Sequence, residues 1–142
     1  MPYPEQLVAP MRAELTSIGV KELKSAAEVD AFMAEKKGSA MIIINSVCGC
    51  AAGGCRPAVR LALQNSVKPD RVATVFAGQD TEATQRVRSY FSDIPPSSPS
   101  IALLKDGELV DFVPRHAIEG RDPKTIAGDL TKAFQEYFTA AK

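Results

Sequence analysis

The sequence predicts an α/β protein with a central mixed sheet flanked by helices and an extra helix at the N-terminus. Two apolar runs without polar alternation, at residues 40–45 and 71–77, are typical of strands buried on both faces. Segments with helical spacing alternate with these strands. Consecutive strands are therefore expected to be parallel and joined by right-handed helical crossovers. Asp106-Gly107 lies between two further apolar runs and predicts an antiparallel hairpin at one edge of the sheet.

Length and composition are typical of a single globular domain. The chain has 142 residues, of which 45% are hydrophobic, so one hydrophobic core over residues 1–142 is expected. Lys and Arg together number 17, the same as Asp and Glu. The chain therefore has no net positive charge that would attract nucleic acid or an anionic membrane. We therefore expect no nucleic-acid partner.

The apolar segments also argue against a membrane protein. The run from Ala40 to Ile44 is far shorter than the roughly 18 residues that a membrane span requires. Pro4, Glu5 and Pro10 interrupt any signal-peptide core near the N-terminus. We expect a cytoplasmic protein with no membrane partner.

The first part of the chain is predicted to form two helices around a short strand. Apolar residues recur at helical spacing over residues 4–17, namely Leu7, Val8, Met11 and Leu15. Pro10 is unfavourable inside such a helix. A short extended segment follows at residues 20–23. Ser25 is expected to cap a second helix that ends at Gly38.

The middle of the chain is predicted to contain two more helices. Residues 48–64 form the first, interrupted by Pro57, and they follow the buried strand at residues 40–45. Asp80 or Thr81 caps the second, which runs to about residue 91 after the strand at residues 71–77.

The last third begins with a proline-rich segment at residues 92–100, which is expected to be an ordered turn or loop. The predicted hairpin pairs residues 101–104 with residues 108–113. Asp122 and Pro123 begin the final helix. Its apolar face consists of Ile126, Leu130, Phe134 and Phe138.

All three cysteines lie between residues 48 and 55. Cys48 is predicted at the junction of a buried strand and a helix, where free N–H groups and the helix dipole stabilise a thiolate. Because the thiolate is the attacking species in disulfide exchange, Cys48 is the expected nucleophile and Cys50 its partner. Gly49 between them keeps the turn flexible.

The spacing of the cysteines leaves alternatives open. Cys48 and Cys50 can form a disulfide if Cys48 lies outside the helix proper, whereas Cys55 is too far along a regular helix to pair with either. Cys55 pairs only if residues 51–54 are irregular, and it is otherwise a small packing residue. Three thiolates can also hold a metal or an iron–sulfur cluster, but no fourth ligand is evident.

The segment NSVCGCAAGGCRPA at residues 45–58 resembles the bacilliredoxin family, thioredoxin-like proteins with a Cys-Gly-Cys motif. The resemblance covers nearly the whole chain, including residues 77–80 and 105–107. It implies that the protein removes bacillithiol from S-bacillithiolated proteins, with Cys48 attacking and Cys50 resolving the mixed disulfide. Cys55 departs from the family pattern and leaves open a second resolving thiol.

The resemblance also assigns roles to residues far from the cysteines. In a thioredoxin-like fold, Pro57 kinks the active-site helix and Pro99 is the cis-proline that faces the reactive sulfur. The strand that follows Pro99 runs away from this edge of the sheet and the hairpin returns the chain to it, so Arg115 and His116 are expected beside Cys48. Gly49, Pro99, Arg115 and His116 are therefore the predicted substrate-binding residues.

We therefore expect a thiol–disulfide oxidoreductase with no bound cofactor or metal, bacillithiol as co-substrate and S-bacillithiolated proteins as partners. Bacillithiol carries malate carboxylates, which an arginine recognises through paired hydrogen bonds. Three alternatives remain at this stage: a protein disulfide isomerase, a metal or iron–sulfur carrier that uses the three cysteines, and a non-catalytic thioredoxin-like interaction domain. The sequence leaves the oligomeric state open.

Overall fold

The computed structural model describes residues 3–139, which contain five α-helices and five strands. The helices are Glu5–Thr16 (α1), Ala26–Ala34 (α2), Arg56–Ala62 (α3), Thr81–Ser89 (α4) and Pro123–Phe138 (α5). The strands are Lys21–Glu22 (β1), Ser39–Asn45 (β2), Arg71–Phe76 (β3), Ser100–Lys105 (β4) and Glu108–Val113 (β5). No helix within residues 3–139 is long and apolar enough to cross a membrane.

The strands form one mixed sheet in the order β1-β3-β2-β4-β5. The first three strands of that order run parallel, and β4 pairs antiparallel with both β2 and β5. All seven residues of β2 are buried, as predicted for a central strand that is covered on both faces. The predicted mixed sheet with helices on both faces and an N-terminal helix is confirmed.

Side chains of β2 alternate between two apolar layers, one on each face of the sheet. Met41 and Ile43 pack in the layer with residues of α1, α3 and α5, including Leu15, Val59 and Leu130. Ile42 and Ile44 pack in the opposite layer with residues of α2 and α4, including Val29 and Val87. Because β2 is fixed from both sides, its carboxyl end is a rigid starting point for the segment that carries the cysteines.

The predicted Asp-Gly hairpin is confirmed. Asp106 and Gly107 both have positive φ, 51° and 85°, which is the backbone of the turn type that matches the twist of paired strands. A Cβ atom at Gly107 would lie 2.9 Å from Cγ of Lys36, so the turn has no room for a side chain there. This turn fixes the register that returns β5 to the end of the sheet where β2 leads to Cys48.

The predicted cap at Ser25 is present, and Asp122, which is predicted to begin the final helix, caps it. The hydroxyl of Ser25 accepts the backbone N–H of Glu28 at 3.2 Å, and the carboxylate of Asp122 accepts that of Thr125 at 2.9 Å. The helix that Ser25 caps ends at Ala34 rather than at Gly38.

The predicted capping role of the Asp80 side chain is wrong. Asp80 precedes α4, but its side chain makes no capping hydrogen bond, and its carboxylate lies 2.7 Å from Nη1 of Arg12. Arg12 is buried on α1 and also binds Glu5 and Glu22. Arg12 and Asp80 are 68 positions apart, so no local sequence pattern shows that they pair. A helix cap, in contrast, is recognised from the residues next to it.

Candidate active site

Cys48 lies just beyond the carboxyl end of β2, at the start of a helical segment. The chain leaves β2 at Asn45 and turns through Ser46 before it reaches Cys48. The carbonyl of Cys48 accepts the N–H groups of Ala51 and Ala52 at 3.1 and 3.2 Å, as the residue at a helix N-terminus does. The structure therefore places Cys48 at the strand–helix junction that the sequence predicts.

The sulfurs of Cys48 and Cys50 are neighbours. Their Sγ atoms are 2.8 Å apart, and both residues are free cysteines that are only partly buried. Gly49 between them is exposed, and a Cβ atom there would touch nothing within 4 Å. The two thiols are thus placed for exchange with each other and with a substrate sulfur that approaches from solvent.

Hydrogen bonds lower the pKa of Cys48 from its ordinary value of 9.0 to about 7. Burial is the largest single influence and acts in the opposite direction, because an ionised sulfur loses water there. The thiol of Cys50, the hydroxyl of Ser46 and two backbone N–H groups together outweigh it, since each stabilises the thiolate. About half of Cys48 is therefore thiolate at neutral pH.

The pKa of Cys50 is raised, in contrast to that of Cys48. Burial is the main cause, and the hydrogen bond that its thiol shares with Cys48 adds to it. Arg115 acts in the opposite direction through its positive charge. Because one pKa falls and the other rises, the first proton to leave the reduced pair comes from Cys48, and the resulting thiolate accepts a hydrogen bond from protonated Cys50.

This difference predicts a pH dependence that can be measured directly. Alkylation of Cys48 by iodoacetamide is expected to rise about tenfold per pH unit up to pH 7 and to level off above it, because only the thiolate reacts. Mass spectrometry of the separated cysteine peptides measures the rate, with Cys50 as the internal comparison. A midpoint near pH 9 for Cys48 would contradict the prediction.

The helical segment after Cys50 is irregular. Residues Ala51–Cys55 form one π-helical turn, and α3 begins only at Arg56. The predicted helix over residues 48–64 is therefore present, but its α-helical part ends at Ala62 and its irregularity lies at residues 51–55. Pro57 lies in the first turn of α3, where its missing N–H is tolerated.

Cys55 is buried in the apolar layer between the sheet and α5. None of its surface is exposed, and burial raises the pKa of its thiol to about 12. It packs in the same layer as Ile118 and Ile126. These features support the interpretation of Cys55 as a packing residue, even though the segment before it is irregular.

Replacing Cys55 with alanine is expected to leave thiol–disulfide turnover within about a factor of three of the original chain. The reason is that a buried thiol which stays protonated at neutral pH neither attacks a disulfide nor leaves one. The rate of reduction of a small mixed disulfide measures this. A Cys50–Cys55 disulfide in the oxidised protein would contradict it.

Pro99 lies beside the end of β2 at which the chain continues to Cys48. Ser100, the first residue of β4, pairs with Ile44 of β2, so Pro99 is next to the β2 terminus. Pro99 is buried, and the Ser98-Pro99 peptide bond is cis. Arg115 contacts this loop, since its Nη1 donates to the carbonyl of Ser98 at 3.4 Å.

The structure separates the two basic residues that the sequence groups together. Arg115 lines an open cleft of about 400 Å³ together with Cys50, Gly49 and Arg121. His116 is exposed and lines a different cleft of about 400 Å³, formed by prolines and Phe112. Arg115 is therefore the predicted basic residue that shares a cleft with Cys50.

Sequence reasoning missed two features of this site. Arg121 adds a second guanidinium to the cleft, although it also binds Asp129 at 2.7 Å. Ser46, whose hydroxyl lowers the pKa of Cys48, precedes it by only two residues, and that spacing is a signal the sequence offers.

The three thiols do not converge on one point. Among residues 3–139, no group of three or more His, Cys, Asp and Glu side chains is placed to hold a metal ion. The hypothesis of a metal or iron–sulfur carrier requires Cys55 to join the other two sulfurs as a thiolate, and Cys55 instead packs in the core. The described residues therefore do not supply the ligand set of that alternative.

Comparison with known proteins identifies the family. Residues 3–138 match the family described as Disulphide isomerase. A bacilliredoxin of Shouchella clausii is 53% identical over 135 residues, which cover 95% of this chain and 93% of that protein. A bacilliredoxin of Cytophaga hutchinsonii is 55% identical over 134 residues, 94% of this chain and 98% of that one. The chain belongs to the bacilliredoxin family.

Solved structures place this bacilliredoxin-family chain in the thioredoxin fold. A thioredoxin from Fasciola hepatica superimposes with a TM-score of 0.56 at 20% identity, covering 83% of this chain and 99% of that one. One from Halobacterium salinarum gives 0.57 at 16% identity, with 88% and 96% covered. The predicted thioredoxin-like fold is confirmed.

Family and fold together establish the class of chemistry. Membership of the bacilliredoxin family and the thioredoxin-like fold make this chain a thiol–disulfide oxidoreductase, as predicted. This confirmed class excludes the hypothesis of a non-catalytic interaction domain.

Proposed function

We propose that this member of the bacilliredoxin family removes bacillithiol from S-bacillithiolated proteins, with Cys48 as nucleophile and Cys50 as resolving thiol. The observation that carries the proposal is the pair of sulfurs 2.8 Å apart whose pKa values move in opposite directions. One sulfur is ready to attack at neutral pH, and the other holds its proton until it is needed.

The reaction is two successive thiol–disulfide exchanges. The Cys48 thiolate attacks the bacillithiol sulfur of the mixed disulfide, a new S–S bond forms on Cys48, and the client leaves as a thiolate that takes up a proton. Cys50 then loses its proton and attacks Cys48, which forms the Cys48–Cys50 disulfide and releases bacillithiol. Alternatively, the thiolate of a second bacillithiol attacks the bacillithiol sulfur bound to Cys48, which forms bacillithiol disulfide and releases Cys48 as a thiolate.

The cleft beside the cysteines supports a small anionic thiol as the transferred group. Arg115 and Arg121 line it together with Cys50, and the side chain of Arg115 is 43% exposed. Arg115 already binds Glu119 at 3.4 Å, a long contact that a carboxylate of the incoming thiol can replace. We assign the malate carboxylates of bacillithiol to this cleft.

The apolar cleft that His116 lines has a different character. Three of its residues are prolines and the aromatic ring of Phe112 forms part of its wall. Such a lining does not bind carboxylates, so we do not assign bacillithiol to it.

A direct experiment tests the proposed function. A protein with one cysteine converted to its bacillithiol mixed disulfide is incubated with the reduced chain, and mass spectrometry follows both proteins. The expected result is loss of bacillithiol from the client together with a Cys48–Cys50 disulfide or a bacillithiol adduct on Cys48. A client that stays modified while the chain reduces other disulfides would overturn the proposal.

A protein disulfide isomerase remains the second candidate, because the matching family is described in those words. Isomerase activity requires the Cys48 thiolate to attack a disulfide within a client and to be displaced again by another client thiol. Refolding of a protein with scrambled disulfides, without added bacillithiol, distinguishes the two activities. Faster recovery of the native pairing would favour the isomerase.

A further inference from the structure

A buried arginine lies behind the active-site loop, and the proposed chemistry gives it no role. Arg56 is 2% exposed and is the first residue of α3, directly after the π-helical turn. Its Nε donates to Oε1 of Glu14 on α1 at 2.9 Å, and the Glu14 side chain is 46% exposed. A buried guanidinium is costly to desolvate, so each of its hydrogen bonds has a role in holding it in place.

The other end of the guanidinium binds the segment that leads to Cys48. Nη1 of Arg56 donates to Oδ1 of Asn45 at 2.9 Å and to the backbone carbonyl of Ser46 at 2.8 Å. The same Oδ1 of Asn45 accepts the backbone N–H of Ser46 at 2.8 Å. Both backbone polar groups of Ser46 are therefore fixed, one by Arg56 directly and one through Asn45.

Fixing the Ser46 backbone also fixes its hydroxyl. Ser46 is 8% exposed, and its Oγ accepts the backbone N–H of Cys48 at 3.1 Å. This bond holds the Ser46 hydroxyl beside Cys48, where it lowers the pKa of that thiol. A hydroxyl group in that place favours the thiolate over the thiol.

We propose that Arg56 is a positioning residue for the nucleophile, holding the Ser46 backbone so that the Ser46 hydroxyl stays beside Cys48, bonded to its backbone N–H. The inference rests on the proposed function only in taking Cys48 as the nucleophile. Arg56 touches no reacting atom and acts through Ser46. Its bond to Glu14 on α1 holds the guanidinium in place.

The experiment measures the thiolate fraction of Cys48 without any bacillithiol. Iodoacetamide alkylation of the Cys48 peptide at pH 7 is compared in the original chain, Arg56→Lys, Ser46→Ala and the double variant. Lysine keeps the charge but cannot bond Asn45, Ser46 and Glu14 together. Each single variant is expected to react about fivefold more slowly, and the double variant about as slowly as either single one.

Arg12→Lys is the matched control. Arg12 is also a buried arginine that binds carboxylates and ties α1 to the rest of the protein, but its hydrogen bonds go to Glu5, Glu22 and Asp80. Replacing Arg12 therefore removes none of the hydrogen bonds that Arg56 makes to Glu14, Asn45 and Ser46. Its Cys48 alkylation rate is expected to stay within about a factor of 1.5 of the original.

Three results would overturn the inference: an unchanged rate in folded Arg56→Lys, an equal loss in Arg12→Lys, or losses that multiply to about twenty-five-fold in the double variant. If Arg56→Lys does not fold, Glu14→Gln replaces it. A loss of about twofold is then expected, and no loss overturns the inference. Failure to release bacillithiol from a client would defeat the proposed function alone, because alkylation involves no substrate.

Discussion

Replacing Cys48 with serine is expected to abolish thiol transfer, whereas replacing Cys50 with serine traps the small thiol on Cys48. A serine hydroxyl does not ionise near neutral pH, so the first variant has no nucleophile. The second variant keeps the Cys48 sulfur but loses the thiol that lies 2.8 Å away and displaces the adduct. Intact-mass measurement after exposure to oxidised bacillithiol shows the adduct, and peptide mapping locates it.

Cys55→Ala is the control for both cysteine variants, because it removes a thiol from the same segment without removing one from the pair. It is expected to behave as the original chain does. If Cys48→Ser kept its activity and adducts formed on Cys50, the two roles would have to be exchanged.

Replacing Arg115 with alanine is expected to slow the release of bacillithiol by about 5- to 150-fold and to leave the reduction of an uncharged mixed disulfide nearly unchanged. The reason is that Arg115 lines the cleft beside Cys50 with a partly exposed guanidinium, which can bind a carboxylate through two hydrogen bonds. The measurement compares kcat/KM for the two substrates in each variant.

His116→Ala is the matched control for Arg115, since the neighbouring side chain lines the other cleft. It is expected to slow neither substrate by more than about a factor of two. Equal slowing of both substrates by Arg115→Ala would mean that Arg115 acts on the active-site thiols, since its charge favours ionisation of Cys50. If neither reaction were slowed by Arg115→Ala, Arg115 would be an ordinary surface residue.

The parts of the fold that follow from local patterns were predictable from the sequence. The apolar run in β2 identifies a central strand because it lacks polar alternation, and Asp106-Gly107 identifies the hairpin because both residues favour positive φ. Cys48 was placed correctly at the helix start, since a buried strand before it and helical spacing after it leave only one position for the junction.

The features that escaped prediction depend on contacts between distant segments. Arg56 bonds Glu14 across 42 positions of the chain, and Arg12 bonds Asp80 across 68. A single sequence does not show which two charges meet, because the chain has 17 basic and 17 acidic side chains from which pairs can form. The π-helical turn also left no periodic pattern, although Gly53-Gly54 inside it weakens any regular helix.

That turn changes how this chain aligns with other thioredoxin-fold proteins. A π-helical turn holds one residue more than the α-helical turn it replaces, and each residue of a helix advances the side chains by about 100°. Deleting one residue from Ala51–Gly54 would leave both active-site sulfurs in place but rotate Arg56 away from Asn45. An alignment with a chain whose active-site helix is α-helical throughout therefore needs a one-residue gap here, and a gapless one assigns the buried arginine to the wrong position.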